Sequence, residues 1–354
     1  MNAFLPGSFL VETKETVEDP VWEKLGTTGG NAYRMNGVSL DLDRLMEAAM
    51  ARYESVYPTK TVPEKMETEF ALTRAGKVYY HERIENPTVT IPVFPGTNCE
   101  YDTAKSFEQE GACVEIVVFR NRTKEDVEES VAKLADAIDH THILSLVGGF
   151  SAGDEPDGSG KFIANVLMNA KVKSAIERFL ARGGLILGIC NGFQALVKSG
   201  LLPTGKIGAI EKDSPTLFNN AIGRHISQIV STKVVSTKTP WMNACEAGDI
   251  YEIAVSHGEG RLILTEEDAR GLFENGQVLT QYVDPDGNAT MERPHNPNGS
   301  YFAIEGLISP NGQIVGKMGH TERYEDGLYR NIPGNKEQLL IRGGVEYYTK
   351  GGQA

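Results

Sequence analysis

The chain has 354 residues, 40% hydrophobic and 23% charged, and carries a formal net charge of −13. That is enough material for one large domain with an appendage, or for two modest domains. The acidic balance disfavours nucleic acid, whose phosphates need a basic face, and the sequence predicts neither a secretory leader nor a membrane span. Four cysteines, Cys99, Cys113, Cys190 and Cys245, lie far apart with no CxxC pair. This spacing speaks against a zinc site and a disulfide framework, so no metal and a reducing, cytoplasmic location are expected. The sequons at Asn288 and Asn298 then read as chance matches.

Residues 1–87 are interrupted by Gly29-Gly30-Asn31 and by Pro58, Pro63 and Pro87. The best helix there runs from Asp41 to Tyr53, with Leu42, Leu45, Met46 and Ala49 on one face. No catalytic constellation is visible, and the segment reads as an appendage or the tail of another domain. From Thr88 the texture becomes regular α/β. A strand over 89–94 ends at Pro95-Gly96, a helix follows over Tyr101–Gly111, and Cys113–Phe119 is a second strand. Thr123 and Asp126 open a helix that runs to His140 with Val127, Val131, Leu134 and Ile138 on its stripe. Ile143–Val147 is a third strand running into Gly148-Gly149, Lys161–Ala181 a helix, and Gly184–Ile189 a fourth strand. Apolar strands alternating with such helices predict a largely parallel, doubly covered sheet. Its functional loops should lie at the C-terminal strand ends, where Gly96, Gly149 and Cys190 fall. After Pro203 short alternating segments near 226–235, 250–255, 262–265, 278–283, 301–307 and 314–318 read as further strands. Residues 325–354 hold no strong motif.

The richest stretch is Gly188-Ile189-Cys190-Asn191-Gly192-Phe193-Gln194. An apolar strand ends on a cysteine with glycine two residues to either side, and a helix follows. This is the pattern of a nucleophile elbow, where a Cβ at either flanking position would collide with the tight turn. The positive end of the helix dipole would favour the thiolate. The competing reading is an inert core thiol. A cysteine nucleophile needs a base, and the base an orienting group. Two histidines have a carboxylate two residues on, His320 with Glu322 and His257 with Glu259, and spacing in an extended chain puts each pair on one side. The residues alone leave that choice open. Gly148-Gly149-Phe150-Ser151 could aim a backbone N–H at a developing oxyanion, with the Asn191 N–H as second donor, or be a plain tight turn. Gly158-Ser159-Gly160-Lys161 lacks the first glycine and the Ser/Thr of a phosphate loop and is set aside.

Together, the Cys190 elbow and the downstream His320-x-Glu322 resemble the class I (triad) glutamine amidotransferases. Within that group, Pro95-Gly96-Thr97-Asn98-Cys99, Gly148 to Asp154 and His257-Gly258-Glu259-Gly260-Arg261 are similar to the phosphoribosylformylglycinamidine synthases, over about Thr88 to Arg330. The resemblance implies a flavodoxin-like α/β fold, a mostly parallel central sheet flanked by helices, filling residues 88–354 as a glutaminase domain. It makes Cys190 the nucleophile, His320 the base and Glu322 its orienter. Gly149 and Asn191 become oxyanion donors, Phe150 and Gln194 lie near the glutamine, and Asn98, His257, Glu259 and Arg261 belong to the site's architecture. Ala152 departs from the tyrosine often found there.

Gly7 to Thr59, including Leu40–Leu45 and Val56–Thr59, is similar to the end of the synthetase part of the long single-chain form. Residues 1–87 are therefore expected to be the tail of that part plus a linker, in a piece of a longer polypeptide. The implied partners are L-glutamine and the synthetase part in cis. No cofactor is expected on this domain, and ATP and Mg²⁺ belong to the synthetase. Two rival readings remain. One is an α/β-hydrolase-like thiol hydrolase, whose nucleophile–acid–histidine order this chain does not follow. The other is a non-catalytic or weakly active docking scaffold.

Overall fold

The computed structural model describes residues 7–54, 62–154 and 158–352. The chain forms two compact units, Met1–Thr59 and Lys60–Ala354. In the first, strands β1 (Ala32–Met35) and β2 (Val38–Asp41) pair antiparallel. Asn36 and Gly37 join them at φ of 51° and 78°, the conformation a two-residue hairpin needs. Helix α1 (Leu42–Glu54) follows, opened by Asp41 Oδ1 accepting the Arg44 N–H at 3.0 Å. Leu42 and Met46, read on one face of this helix, are exposed. Val56–Thr59 lies outside the described residues.

The second unit begins with a segment, residues 62–87, that packs onto its own sheet and last helix. The Thr73 N–H donates to Val235 O at 2.9 Å, Tyr80 N–H to Tyr347 O at 2.8 Å and Ile84 N–H to Tyr348 O at 3.0 Å. Phe70 stacks on Phe273 with centroids 3.7 Å apart. The division between the compact units therefore precedes position 87, because this segment's backbone bonds are made to the second unit.

The elements that follow are β3 (Thr88–Val93), α2 (Glu100–Gln109), β4 (Cys113–Val118), α3 (Lys124–His140) and β5 (Ile143–Leu146). Then come α4 (Lys161–Leu167), α5 (Ala170–Ala181), β6 (Leu185–Ile189), α6 (Asn191–Lys198) and the short α7 (Leu201–Thr204). The last third contains β7 (Thr216–Phe218), β8 (Ile226–Val234), β9 (Ile250–His257), β10 (Arg261–Ile263), α8 (Glu266–Glu274), β11 (Val278–Tyr282), β12 (Ile304–Ile308), β13 (Ile314–Lys317) and α9 (Leu340–Thr349). Nine strands form one sheet in the order β4-β3-β5-β6-β13-β12-β11-β8-β9. From β4 to β13 the pairings are parallel, as the α/β alternation predicts. From β13 to β9 they are antiparallel, an extension built by the alternating segments after Pro203. β5, β6 and β13 are buried along their whole length, which matches their near-continuous apolar sequences.

Several elements differ from the expectation: β7 and α8 stand where no element was read, and two longer segments change. The helix over 161–181 is two helices, because the Asn169 side chain accepts the Lys171 N–H at 3.1 Å and starts a new one. The segment 325–354 contains α9, which buries Leu340, Ile341, Val345 and Tyr348. Gly343 and Gly344 weaken its helical signature, yet an added Cβ at either would strike Trp241. Among the described residues no helix is long and apolar enough to cross a membrane.

Candidate active site

Cys190 joins β6 to α6 with φ 53° and ψ −105°, a conformation an L-residue rarely adopts. The flanking glycines make the turn possible. A Cβ at Gly188 would lie 2.9 Å from the Gly192 carbonyl carbon, and one at Gly192 would be 2.6 Å from the Leu146 carbonyl carbon on the neighbouring strand. The elbow is anchored by the Cys190 N–H donating to Lys317 O at 2.9 Å. Cys190 is 5% exposed, and its sulfur lies 3.8 Å from Ser256 O. As the first residue of α6, Asn191 has no intrahelical acceptor for its N–H.

The loops after β3 and β5 pack together beside the elbow. Phe150 N–H donates to Gly96 O at 2.8 Å and Asn98 N–H to Gly148 O at 3.1 Å. Gly149 takes φ 135°, and a Cβ there would sit 2.9 Å from the Asn98 nitrogen. The fully buried Asn191 side chain ties this loop to the elbow. Its Oδ1 accepts the Ser151 N–H at 3.1 Å, and its Nδ2 donates to both Asp154 oxygens at 3.2 Å. Burial raises the Asp154 carboxyl, against hydrogen bonds from Gly160, Asn191, Ser159 and Ser151. Ala152 occupies φ 53° within the loop, and its N–H donates to Pro95 O at 2.6 Å. Phe150 is exposed, its ring 6.2 Å from that of His225.

His320 and Glu322 meet at the end of β13. Nδ1 of His320 is 2.6 Å from Glu322 Oε1, and both side chains are buried. The pair forms in a 3₁₀ turn over Thr321–Arg323, not in the extended chain that the His-x-Glu spacing suggested. The turn arises because the His320 N–H donates to Ala254 O while the Arg323 N–H turns back to His320 O. Burial by itself would lower the His320 pKa, but the Glu322 carboxylate and the Cys190 sulfur hold it well above the usual histidine range. Glu322 is lowered, its burial outweighed by His320. Nε2 of His320 and Oε2 of Glu322 are buried with no hydrogen-bond partner among the described residues. Gly148 lies between the thiol and the ring: a Cβ there would be 2.8 Å from His320 Cε1 and 3.5 Å from Cys190 Cβ. Asn98 is exposed and its Oδ1 accepts the Cys99 S–H at 3.3 Å.

The second histidine pair does not assemble. His257 is buried, and its Nε2 accepts the Asn298 Nδ2–H at 3.0 Å. Burial first, then the neighbouring His320 and His225, push its pKa down to about 3, so the ring stays neutral. Glu259 instead accepts the Ser159 N–H at 2.9 Å, while its backbone carbonyl accepts Gln194 Nε2–H at 2.5 Å. Gln194 also accepts from Asn191 Nδ2 at 2.9 Å, so both ends of its amide are engaged within the protein. Arg261 pairs with Glu64 and lies over the Tyr301 ring, 5.1 Å from its centroid. The Ser159 and Gly160 N–H groups face the carboxylates of Glu259 and Asp154, which accounts chemically for setting aside a phosphate loop. Asn298 is completely buried, consistent with a chance sequon.

Sequence reasoning missed the buried support beneath the base. Lys317 Nζ donates to Gln338 Oε1 at 2.8 Å and Thr321 Oγ1 at 3.0 Å and lies 3.8 Å from Glu305 Oε1. Glu305 in turn accepts the Gly319 N–H at 2.6 Å. A lysine closing an otherwise apolar strand was the available signal.

Residues 86–349 match the family model described as a CobB/CobQ-like glutamine amidotransferase domain. The chain is 33% identical over 248 residues to the phosphoribosylformylglycinamidine synthase subunit PurQ of Sulfurimonas denitrificans, covering 70% of this chain and 96% of that one. It is 35% identical over 244 residues to the subunit of the same name from Methanococcus maripaludis, covering 67% and 82%. Among solved structures, a chain of PurLQS from Thermotoga maritima superposes with a TM-score of 0.53 at 26% identity, covering 74% of this chain and 99% of that one. By the extent of these matches, the chain belongs to the CobB/CobQ-like glutamine amidotransferase family, alongside the PurQ subunits of phosphoribosylformylglycinamidine synthase.

Proposed function

We propose that this chain is the glutaminase component of a phosphoribosylformylglycinamidine synthase. It hydrolyses L-glutamine and supplies ammonia for the ATP-dependent conversion of formylglycinamide ribonucleotide to its amidine. The observation that carries the reading is the strained Cys190 elbow beside a buried His320–Glu322 pair joined at 2.6 Å.

In this reading His320 takes the Cys190 thiol proton, and Glu322 stabilises the resulting imidazolium. The thiolate attacks the side-chain amide carbon of glutamine, and the N–H groups of Gly149 and Asn191 receive the oxyanion. His320 then protonates the departing nitrogen, the C–N bond breaks and ammonia leaves a γ-glutamyl thioester. A water, deprotonated by the same ring, cleaves the thioester to glutamate and restores the thiol. The order His320 before Glu322 along the chain argues against an α/β-hydrolase mechanism. The ammonia acceptor is a synthetase carrying ATP and Mg²⁺, and the similarity of Gly7–Thr59 to a synthetase tail favours a partner in the same polypeptide.

The test is covalent labelling with 6-diazo-5-oxo-norleucine, a glutamine analogue, mapped by mass spectrometry. A single adduct on Cys190, absent in Cys190→Ala and suppressed in His320→Ala, is expected. Absence of any adduct with and without an added synthetase would overturn the reading in favour of a docking scaffold.

A further inference from the structure

A second thiol lies against the base. Cys99, at the N-terminal boundary of α2, is 2% exposed, and its Sγ is 4.0 Å from His320 Nδ1. One donor atom each from Cys99, His320 and Glu322 falls within a 4.8 Å cluster, and all three residues are buried. Oε2 of Glu322 is buried without a partner among the described residues. Thiolate sulfur, imidazole nitrogen and carboxylate oxygen make a zinc-type donor set.

We propose that Cys99, His320 and Glu322 form a binding site for a thiophilic divalent cation, zinc foremost, and that its occupation switches the base off. With metal–ligand bonds of about 2.0–2.3 Å, neighbouring ligands in a tetrahedral site are about 3.3–3.6 Å apart. The observed 4.0 Å from Cys99 to Nδ1 and 2.6 Å from Nδ1 to Glu322 bracket that spacing. Small side-chain rotations close the site, and the fourth position is left for water. The cation replaces the proton between Nδ1 and Glu322. Binding also releases the Cys99 thiol proton. Arg323 Nη2, donating to Cys99 Sγ at 3.2 Å, is placed to support the thiolate as an outer hydrogen-bond donor.

With Nδ1 bound to metal, the neutral ring carries its remaining proton on Nε2. It then has no lone pair for the Cys190 proton, so glutamine hydrolysis stops; this consequence rests on the proposed glutaminase reading, whereas the binding itself does not. The sequence spoke against a zinc site because its four cysteines lie far apart with no CxxC pair, whereas the fold brings Cys99 to His320 across 221 positions.

The experiment uses the full chain carrying Cys190→Ala, which removes the nucleophile as a ligand. Zinc competition against a chromogenic chelator should give one equivalent bound. Cobalt(II) should produce a thiolate-to-cobalt charge-transfer band. Adding Cys99→Ser, with circular dichroism to verify folding, should abolish the band and weaken zinc binding by more than about 100-fold, since it removes a ligand and not only an outer partner. In protein retaining Cys190, zinc should slow diazo-oxo-norleucine labelling reversibly, and Cys99→Ser should raise the inhibitory zinc concentration relative to its own metal-free rate. No zinc binding by Cys190→Ala, or binding undiminished by Cys99→Ser, overturns the site. A metal-free chain that never labels counts against the glutaminase reading, and the chelator and cobalt results still decide the metal site.

Discussion

Asn191 Oδ1 accepts the Ser151 N–H at 3.1 Å, so the residue that follows the nucleophile also fixes the loop carrying Gly149. One side chain thereby sets the separation of the two proposed oxyanion donors. Asn191→Ala strips the Ser151 N–H and the Asp154 carboxylate of a buried partner. Labelling of Cys190 by diazo-oxo-norleucine should slow by about 10²–10³, the range for loss of one oxyanion donor. Asn191→Asp should be worse, because a second carboxylate would face Asp154, whose carboxyl burial already raises. A labelling rate within about threefold of wild type would remove Asn191 from the positioning of the loop.

Backbone strain at Cys190 gives a second expectation. At φ 53° and ψ −105° the residue holds a conformation that only glycine adopts without penalty. Strain of this type is worth about 1–3 kcal/mol. Cys190→Gly should therefore be more stable than Cys190→Ala by about 1–2 kcal/mol in denaturant melts, both being inactive. The comparison cancels loss of the sulfur, which both variants share. Equal stabilities, or a more stable alanine variant, would show that the elbow is relaxed.

Features enforced by local sterics were legible from sequence. Gly188 and Gly192 advertise the elbow because the collisions they avoid, with each other and with Leu146, follow from any strand–turn–helix at that point. The parallel strands were legible as apolar runs, and the antiparallel extension as alternation. The His-x-Glu spacing offered both His320–Glu322 and His257–Glu259 and the family resemblance chose the first, while the geometry differs from the extended chain assumed, since a 3₁₀ turn brings that pair together. The break at Asn169 competes with an unbroken helical stripe, and α9 carries two glycines demanded by Trp241. Cys99 beside His320 is a contact between segments 221 positions apart that no local pattern encodes, whereas Glu305 and Lys317 sit on the paired strands β12 and β13, where a lysine closing an apolar strand was the visible signal.

Lys317 and Glu305 hold the turn that presents His320. One carboxylate oxygen of Glu305 accepts the Gly319 N–H, and Lys317 Nζ donates to the Thr321 hydroxyl oxygen, on either side of the histidine. Both side chains are completely buried, and burial lowers the lysine's pKa. Removing one partner of a buried pair costs about 3–5 kcal/mol, because the other charge is stranded. Lys317→Met should destabilise by that order and reduce turnover more than it raises KM. The double variant Lys317→Met with Glu305→Gln should recover at least about 1 kcal/mol relative to the sum of the single changes. Additive effects in the double-mutant cycle would mean that the two side chains act independently.

The pH dependence of stability separates His257 from the base. Its folded-state pKa of about 3 lies below the unfolded value, burial being the first cause. Above about pH 6.5 the ring is neutral in both states and contributes no pH dependence. As pH falls below that value, the unfolded chain takes up a proton that the folded ring refuses, so stability is lost progressively towards about pH 3. The loss between about pH 6 and pH 4 should be about 2–3 kcal/mol from this residue. His257→Gln, which keeps an acceptor for Asn298, should flatten that part of the melting-temperature profile. It should also leave thioester formation on Cys190 largely intact, whereas His320→Ala abolishes it. His320 has the opposite sign: its raised pKa means that the stability contributed by the Glu322 pair is present at low pH and is lost as pH rises through the folded value. An acid limb unchanged by His257→Gln would show that His257 is not the neutral buried group its surroundings require.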